Sequence, residues 1–249
     1  MPETNYNMQL SGDMQWLTHK NLPPLNESEL KLLVEKQLQI EEGSHTSDEV
    51  RTSRGSFWVT KLPGGRKVIV RQYKRGGLIA RFITESFYYF PYINWPKWRS
   101  FSEFENTLYL KEKNFSVPMP LFAVSQKLSA WRYKAFIGYE YLEGSQNLLV
   151  EIRRLSFAQL NEIFYAVGKL ACDMLELGVM HSDLHLGNVL LQGTNIYIID
   201  FDKSYRINQK TDYSNCRMKL IERWRRSLKR HNMPDDLMES YIKGLNYKL

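Results

Sequence analysis

The sequence predicts an α+β fold of two parts: a small antiparallel sheet with one main helix, then a mostly helical region. Short runs rich in β-branched and aromatic residues, with one helical segment among them, occupy the stretch from Phe57 to Leu142. A long apolar stretch at helical spacing follows Ser156. With 249 residues and 43% hydrophobic content, the chain is long enough to bury a sizeable core.

Residues 1–23 are polar, show no clear periodicity and run into Pro23-Pro24, which predicts a loosely ordered arm. Asn26-Glu27-Ser28-Glu29 then precedes Leu30, Leu32, Leu33, Val34, Leu38 and Ile40, the pattern of a capped amphipathic helix ending before Gly43. Phe57-Trp58-Val59-Thr60 and Lys67-Val68-Ile69-Val70-Arg71 flank Pro63-Gly64-Gly65 and predict a β-hairpin. A helix is expected from Ser102 through Lys113, with Phe104, Leu108 and Leu110 apolar, until Val117-Pro118-Met119-Pro120 breaks it. Leu121 to Val124 and Arg132 to Leu142 read as strands.

Ser156 is placed to cap a buried helix carrying Leu160, Ile163, Phe164, Val167, Leu170, Ala171, Met174 and Leu175, which stops at Gly178. That helix delivers the chain into Val179-Met180-His181. A second hairpin is expected from Val189-Leu190-Leu191 and Ile196-Tyr197-Ile198-Ile199 around Gly193-Thr194-Asn195, with Asp200 at its end. These elements divide the chain into an arm and helix (1–49), a sheet-bearing lobe (50–142) and a helical lobe (143–249).

Composition narrows the function classes. Cys172 and Cys216 are too few and too far apart for a disulfide framework or a zinc site, and the N-terminus lacks a basic stretch followed by an apolar run. Both features point to the reducing cytosol. No uncharged apolar segment approaches the roughly 18 residues that would span a bilayer, so any membrane contact is expected to be peripheral. The formal charge is 34 − 27 = +7, which suits an anionic membrane surface, a phosphorylated substrate or nucleic acid. No nucleic-acid motif is recognisable. Much of the excess lies between Arg71 and Arg81, with Lys74 and Arg75 inside, and between Arg217 and Arg230, with Arg223, Arg225, Arg226 and Lys229. The second cluster reads equally as a solvated helix face.

The chemistry concentrates in His181-Ser182-Asp183-Leu184-His185-Leu186-Gly187-Asn188 and Asp200-Phe201-Asp202. Asp183 and Asn188 lie five apart on one loop, and Asp200 follows Asp183 by 200 − 183 = 17 positions, beyond a hairpin that brings its two ends together. Phosphoryl transfer requires mainly positioning and charge neutralisation. Asp183 suits the carboxylate beside an acceptor hydroxyl; Asn188 and Asp200 suit oxygen ligands for Mg²⁺. Taken singly, each would read as a turn-forming residue. His181 and His185 fit structural roles better than metal ligation, because Mg²⁺ prefers oxygen. Lys203 and Arg206 could meet substrate phosphates or be plain exposed cations.

These residues resemble the catalytic loop and metal-binding motif of the protein-kinase superfamily, with a long helix before them. The resemblance implies a protein-kinase-like bilobal fold. The second motif reads Asp-Phe-Asp in place of Asp-Phe-Gly, and the loop His-Ser-Asp-Leu-His in place of His-Arg-Asp-Leu; both departures favour a small-molecule or lipid kinase. Joined to Val68 through Leu78 with its Arg75-Gly76-Gly77-Leu78, to Phe101-Ser102-Glu103-Phe104, to Val117-Pro118-Met119-Pro120 and to Ile199-Asp200-Phe201-Asp202-Lys203-Ser204, the pattern resembles the 3-deoxy-D-manno-octulosonic acid (Kdo) kinase family over about residues 50 to 206.

The resemblance implies a role for each matched position. Arg71 ends a strand where the fold carries its phosphate-binding Lys, with Lys74 as the competing cation, and Glu103 occupies the helix place that pairs it. Arg for Lys puts a planar fork in place of a compact charge. Gly55, in Ser53-Arg54-Gly55-Ser56, falls in the phosphate-covering loop. Glu140-Tyr141-Leu142 falls at the hinge whose backbone would bind adenine. His181 would hydrogen-bond backbone and hold the loop, and His185 would face substrate or support Asp183.

The implied reaction is ATP- and Mg²⁺-dependent phosphorylation of a Kdo hydroxyl on a lipid A precursor, at the cytoplasmic face of the bacterial inner membrane. The alternatives are a kinase of another small molecule or of protein, in the manner of aminoglycoside phosphotransferases or atypical protein kinases, and a non-catalytic nucleotide-binding or nucleic-acid-binding module. For the membrane surface two segments compete: the aromatic stretch 87–98, with Trp95, Lys97 and Trp98 and followed by Arg99, and the basic helix 217–230.

Overall fold

The computed structural model describes residues 5–22, 25–34, 55–73, 87–88, 99–129, 132–208 and 212–248. Lys74, Arg54, the Arg75 to Leu78 segment, Leu38 and Ile40, and most of the aromatic stretch 87–98 lie outside them. The chain forms two compact units: Met1–Glu105 with Met119–Tyr141, and Asn106–Pro118 with Leu142–Leu249.

The first unit begins with a hairpin, β1 (Tyr6–Ser11) and β2 (Met14–His19). Here the structure departs from the expected loose arm. The two-residue turn Gly12-Asp13 places Gly12 at φ 53, and Ser11 pairs with Met14. β1 alternates Tyr6, Met8 and Leu10 with Asn7, Gln9 and Ser11 but is exposed along most of its length, whereas β2 buries Met14, Trp16 and Leu17. Helix α1 (Glu27–Val34) follows, capped reciprocally: Glu29 N–H donates to Asn26 Oδ1 and Asn26 N–H to Glu29 Oε2, both at 2.9 Å.

β3 (Gly55–Lys61) and β4 (Lys67–Tyr73) form the expected hairpin; β5 (Phe87–Tyr88), helix α2 (Arg99–Glu112), β6 (Pro120–Ser129) and β7 (Arg132–Glu140) come next. The strands join in one antiparallel sheet in the order β1-β2-β6-β7-β4-β3, with β5 on β7. Alternation along β4 buries Val68 and Val70 with Trp58, Phe122, Val124 and Phe136 against Leu30 and Leu33 of α1. Arg71 falls in the opposite phase, paired between Phe57 and Ile137.

After Asn106–Pro118, the second unit continues with β8 (Gln146–Asn147) and the short helix α3 (Leu148–Glu151), capped by the Asn147 side chain. Helix α4 (Phe157–Glu176) begins at the expected Ser156, whose hydroxyl accepts from Gln159 N–H at 3.3 Å while the Gln159 side chain accepts from Ser156 N–H at 2.9 Å. β9 (Val179–His181), a 3₁₀ turn (Leu186–Asn188), the hairpin β10 (Val189–Gln192) and β11 (Asn195–Ile198), a second 3₁₀ turn (Phe201–Lys203) and β12 (Ser204–Arg206) follow. β12 pairs with β9, setting Ser204 opposite His181. Helices α5 (Tyr213–Arg230) and α6 (Asp236–Leu245) close the unit around a core in which Trp224 stacks on Tyr241 at 4.8 Å and meets Phe164 edge-on at 5.4 Å.

α4 and α6 approach through two glycines. A Cβ on Gly168 would lie 2.2 Å from the Tyr241 carbonyl oxygen, and one on Gly244 would lie 2.0 Å from that of Tyr165. Gly→Ala at an unconstrained helix position would raise stability. Here Gly168→Ala and Gly244→Ala should each lower it by about 2 kcal/mol through overpacking, read as a fall in the urea unfolding midpoint; an unchanged midpoint would refute this close approach.

Candidate active site

In the second unit, the loop after β9 is organised by a buried imidazole. His181 is fully buried, its Nδ1 accepts from Asp183 N–H at 3.2 Å, and its Nε2–H faces the Ile199 carbonyl at 3.1 Å. That pattern needs the neutral ring with the proton on Nε2. Burial pushes the His181 pKa down, which favours the same state. Phe201 covers the ring at a centroid distance of 4.8 Å.

Asp183 carries the site's charge contacts. Its Oδ2 accepts from Lys203 Nζ at 2.8 Å and its Oδ1 from Arg223 Nε at 2.7 Å. Burial alone would raise its pKa, but the bonds from Lys203 and Arg223 outweigh that and lower it to about 2. The carboxylate is therefore ionised at neutral pH. Sequence reading placed Arg223 in a basic surface cluster and missed this contact. A signal was present: Arg223 sits on the helical stripe of Cys216, Leu220, Ser227 and Leu228, where a cation calls for a partner.

Asn188 is buried and commits its amide nitrogen to the Asp183 carbonyl at 3.0 Å, and its N–H donates to the His185 carbonyl at 2.8 Å. This leaves Asn188 Oδ1 as the atom able to meet a cation. Asp200 follows the Ile199 contact directly and adopts a left-handed backbone, φ 67 and ψ 62, a conformation that costs a non-glycine residue about 1 kcal/mol. Ile199 N–H donates to the Asn188 carbonyl at 3.0 Å, so the segments carrying Asn188 and Asp200 are stitched together by backbone. An amide and a carboxylate oxygen fit Mg²⁺, a hard cation that usually keeps several waters. Among the described residues, no cluster of three or more His, Cys, Asp or Glu forms a softer metal cage.

His185 points its Nδ1 at Gly187 N–H, 3.0 Å away, and caps the 3₁₀ turn. Burial, then the Arg223 charge, lowers its pKa to about 4. Asn106 holds the following segment, its Nδ2 donating to Ser204 Oγ at 3.1 Å and to the Ser204 carbonyl at 3.4 Å. Arg206, the other cation singled out after Asp200, lies over the Tyr109 ring at 3.5 Å. Leu142, assigned to the hinge, belongs to this unit and accepts from Ser145 N–H at 3.1 Å.

In the first unit, the structure brings Arg71 and Glu103 together, with Nη1 3.4 Å from Oε1. The Glu103 carboxylate is fully buried and also accepts from Tyr139 Oη at 2.8 Å and from Tyr73 Oη. Arg71 lies over the Tyr73 ring at 5.0 Å and Arg99 at 5.8 Å. The two tyrosines give the buried charge the donors it requires, and the sequence pattern did not reveal them. Glu140 is tied inward: Met119 N–H donates to its carboxylate at 2.7 Å, and its own N–H donates to the Met119 carbonyl at 2.9 Å. Gly55 starts β3, paired with Tyr73.

The sheet with one main helix, the long capped helix and the Asp183, Asn188 and Asp200 loops define the protein-kinase-like fold. A solved structure described as WaaP in complex with acyl carrier protein shares it, with a TM-score of 0.53 and 15% identity over 79% of this chain and 76% of that one. The model of the lipopolysaccharide kinase (Kdo/WaaP) family matches residues 41–241, and the chain belongs to that family. Its relatives include the 3-deoxy-D-manno-octulosonic acid kinases of Vibrio vulnificus strain CMCP6, 31% identical over 62% of this chain and 63% of the relative, and of Photobacterium damsela subsp. piscicida, 31% identical over 70% and 69%. The match thus spans just under two thirds of the length of the Vibrio relative.

The lowered His185 pKa gives stability a defined pH dependence. An unfolded His titrates near 6.5, so between about pH 6.5 and 4 the unfolded chain binds a proton that the folded chain refuses. The contribution is complete above pH 6.5 and is lost as pH falls toward 4. His185→Asn keeps an acceptor for Gly187 N–H without titrating. The melting temperature of the unsubstituted protein should fall further between pH 7 and 5 than that of the variant; equal falls would contradict the assignment.

Proposed function

We propose that the protein is a kinase that transfers the γ-phosphoryl group of ATP to a hydroxyl of Kdo on a lipid A precursor. The observation that carries the reading is the loop in which an ionised Asp183 is fixed through its N–H by His181 and through its carbonyl by Asn188. Family membership and the names of the relatives support the acceptor class.

In this reading Asp183 orients the acceptor hydroxyl and takes its proton as the new O–P bond forms. The bond from the γ-phosphorus to its bridging oxygen breaks, and ADP leaves. A carboxylate held near pKa 2 is a weak base, so its work is mainly orientation, with the proton accepted late. Bound Mg²⁺ would neutralise phosphate charge, and Asn188 and Asp200 are the residues to hold it. Arg71 is the phosphate-binding cation, kept in place by Glu103. The backbone at Glu140 and Leu142 receives the adenine, and Gly55 opens the strand that covers the phosphates. Lys203, half exposed on Asp183, is placed to meet an anionic acceptor.

We further propose peripheral attachment to the cytoplasmic face of the inner membrane. No helix among the described residues is long and apolar enough to cross a membrane. Arg225, Arg226, Lys229 and Arg230 are exposed on α5 and could meet anionic head groups. Binding to vesicles containing anionic phospholipid should weaken as salt shortens the Debye length from about 30 Å at 0.01 M to about 10 Å at 0.1 M. Salt-independent partitioning would rule out this mode.

The catalytic assignment is tested with labelled ATP, Mg²⁺ and a Kdo-bearing lipid A precursor. Label should appear on the Kdo sugar, and Asp183→Asn should lower kcat by about 10²- to 10⁴-fold. Transfer only to a protein or an antibiotic would replace the acceptor class, and full activity in Asp183→Asn would overturn the mechanism.

A further inference from the structure

We infer that Arg223 is a positioning residue for Asp183, and that helix α5 is the strut that holds the catalytic loop at two points. This rests on the reading of Asp183 as the residue that orients the acceptor hydroxyl. Arg223 and Ser227 lie four apart on α5 and so share one face. Arg223 Nε donates to Asp183 Oδ1 at 2.7 Å, and Ser227 Oγ accepts from Leu186 N–H at 3.3 Å. One helix face therefore fixes a carboxylate oxygen at one end of the segment 183–186 and a backbone amide at the other. Ser227 is buried and the Arg223 side chain is 22% exposed. The helix is anchored beneath them by Trp224, which is packed on Phe164 and Tyr241.

The two cations on Asp183 differ in kind. Lys203 is 49% exposed on a flexible stem and can exchange Asp183 for a ligand anion. Arg223 is less than half as exposed and binds through Nε, next to its stem, which leaves little freedom to move away. With Oδ1 taken by Arg223, Oδ2 is the oxygen that becomes available to an acceptor hydroxyl when Lys203 moves. Arg223 thus selects which oxygen of Asp183 works and where it points, without touching substrate.

The test compares Arg223→Met and Arg223→Lys with the unsubstituted protein, alone and combined with Asp183→Asn. Arg223→Met should lower kcat about 10²-fold, the loss expected of a misplaced reacting group, and leave KM for ATP unchanged. Arg223→Lys should recover part of that loss. On the Asp183→Asn background, Arg223→Met should cause little further loss, because the group it positions is gone. An equal fold-loss on both backgrounds would overturn the inference. A second readout needs no turnover: amide hydrogen exchange in residues 183–187 should speed up at least tenfold in Arg223→Met, with exchange in α4 unchanged. Unchanged exchange in the loop would overturn the strut even if the protein phosphorylated nothing, whereas faster exchange in an inactive protein would sustain the strut and reject the kinase reading.

Discussion

The imidazole of His181 is the contact on which the geometry of the second unit depends. It joins the start of the Asp183 loop to the end of the β10–β11 hairpin, by accepting from Asp183 N–H and facing the Ile199 carbonyl. Asp183 and Asp200 lie 17 residues apart in sequence, and each directly follows or carries one of the two groups that the ring binds. A buried amide and carbonyl left unpaired would each cost about 1–3 kcal/mol, so ring, loop and hairpin end stabilise one arrangement together. The neutral state required by these bonds is the state that burial favours.

Two carboxylates in the protein are held by opposite means. Glu103 is sealed from water and takes two phenol donors as well as Arg71. Such a group holds a cation in place, since losing a partner of a buried charge costs about 3–5 kcal/mol. Asp183 is only half-buried and bears two cations, one exposed and one packed. A carboxylate in that setting stays ionised yet reachable. The difference follows from position: Glu103 faces a sheet rich in tyrosine, while Asp183 sits at a loop edge beside a basic helix.

Much of this was legible in the sequence where the chain is locally consistent. The second hairpin, the Ser156 cap and the long apolar helix appear because turn chemistry, capping and periodicity agree at those positions. The hairpin at Tyr6–His19 went unread: β1 alternates Tyr6, Met8 and Leu10 with Asn7, Gln9 and Ser11, and Gly12-Asp13 is a turn signal, but the six-residue run has no β-branched residue and is exposed on both faces. The loop motif drew attention to Asp183, Asn188 and Asp200 because their spacing is short. Tyr73, Tyr139 and Arg223 escaped because their partners lie 30, 36 and 40 residues away, and no local period encodes such pairings.

The basic helix α5 divides its charge run between two faces. At 3.6 residues per turn, Arg223 falls on the inward stripe with Leu220 and Ser227, while Arg225, Arg226, Lys229 and Arg230 fall outside it and are exposed. Exposed cations repel one another, at a cost that salt screens, and their attraction to an anionic surface is screened equally. The contact between Arg223 and Asp183 is short and partly buried, so screening reaches it far less. Ionic strength therefore separates the two faces of one helix: the exposed outer cations respond to it, and the inner contact, which fixes the carboxylate at the centre of the proposed chemistry, responds far less.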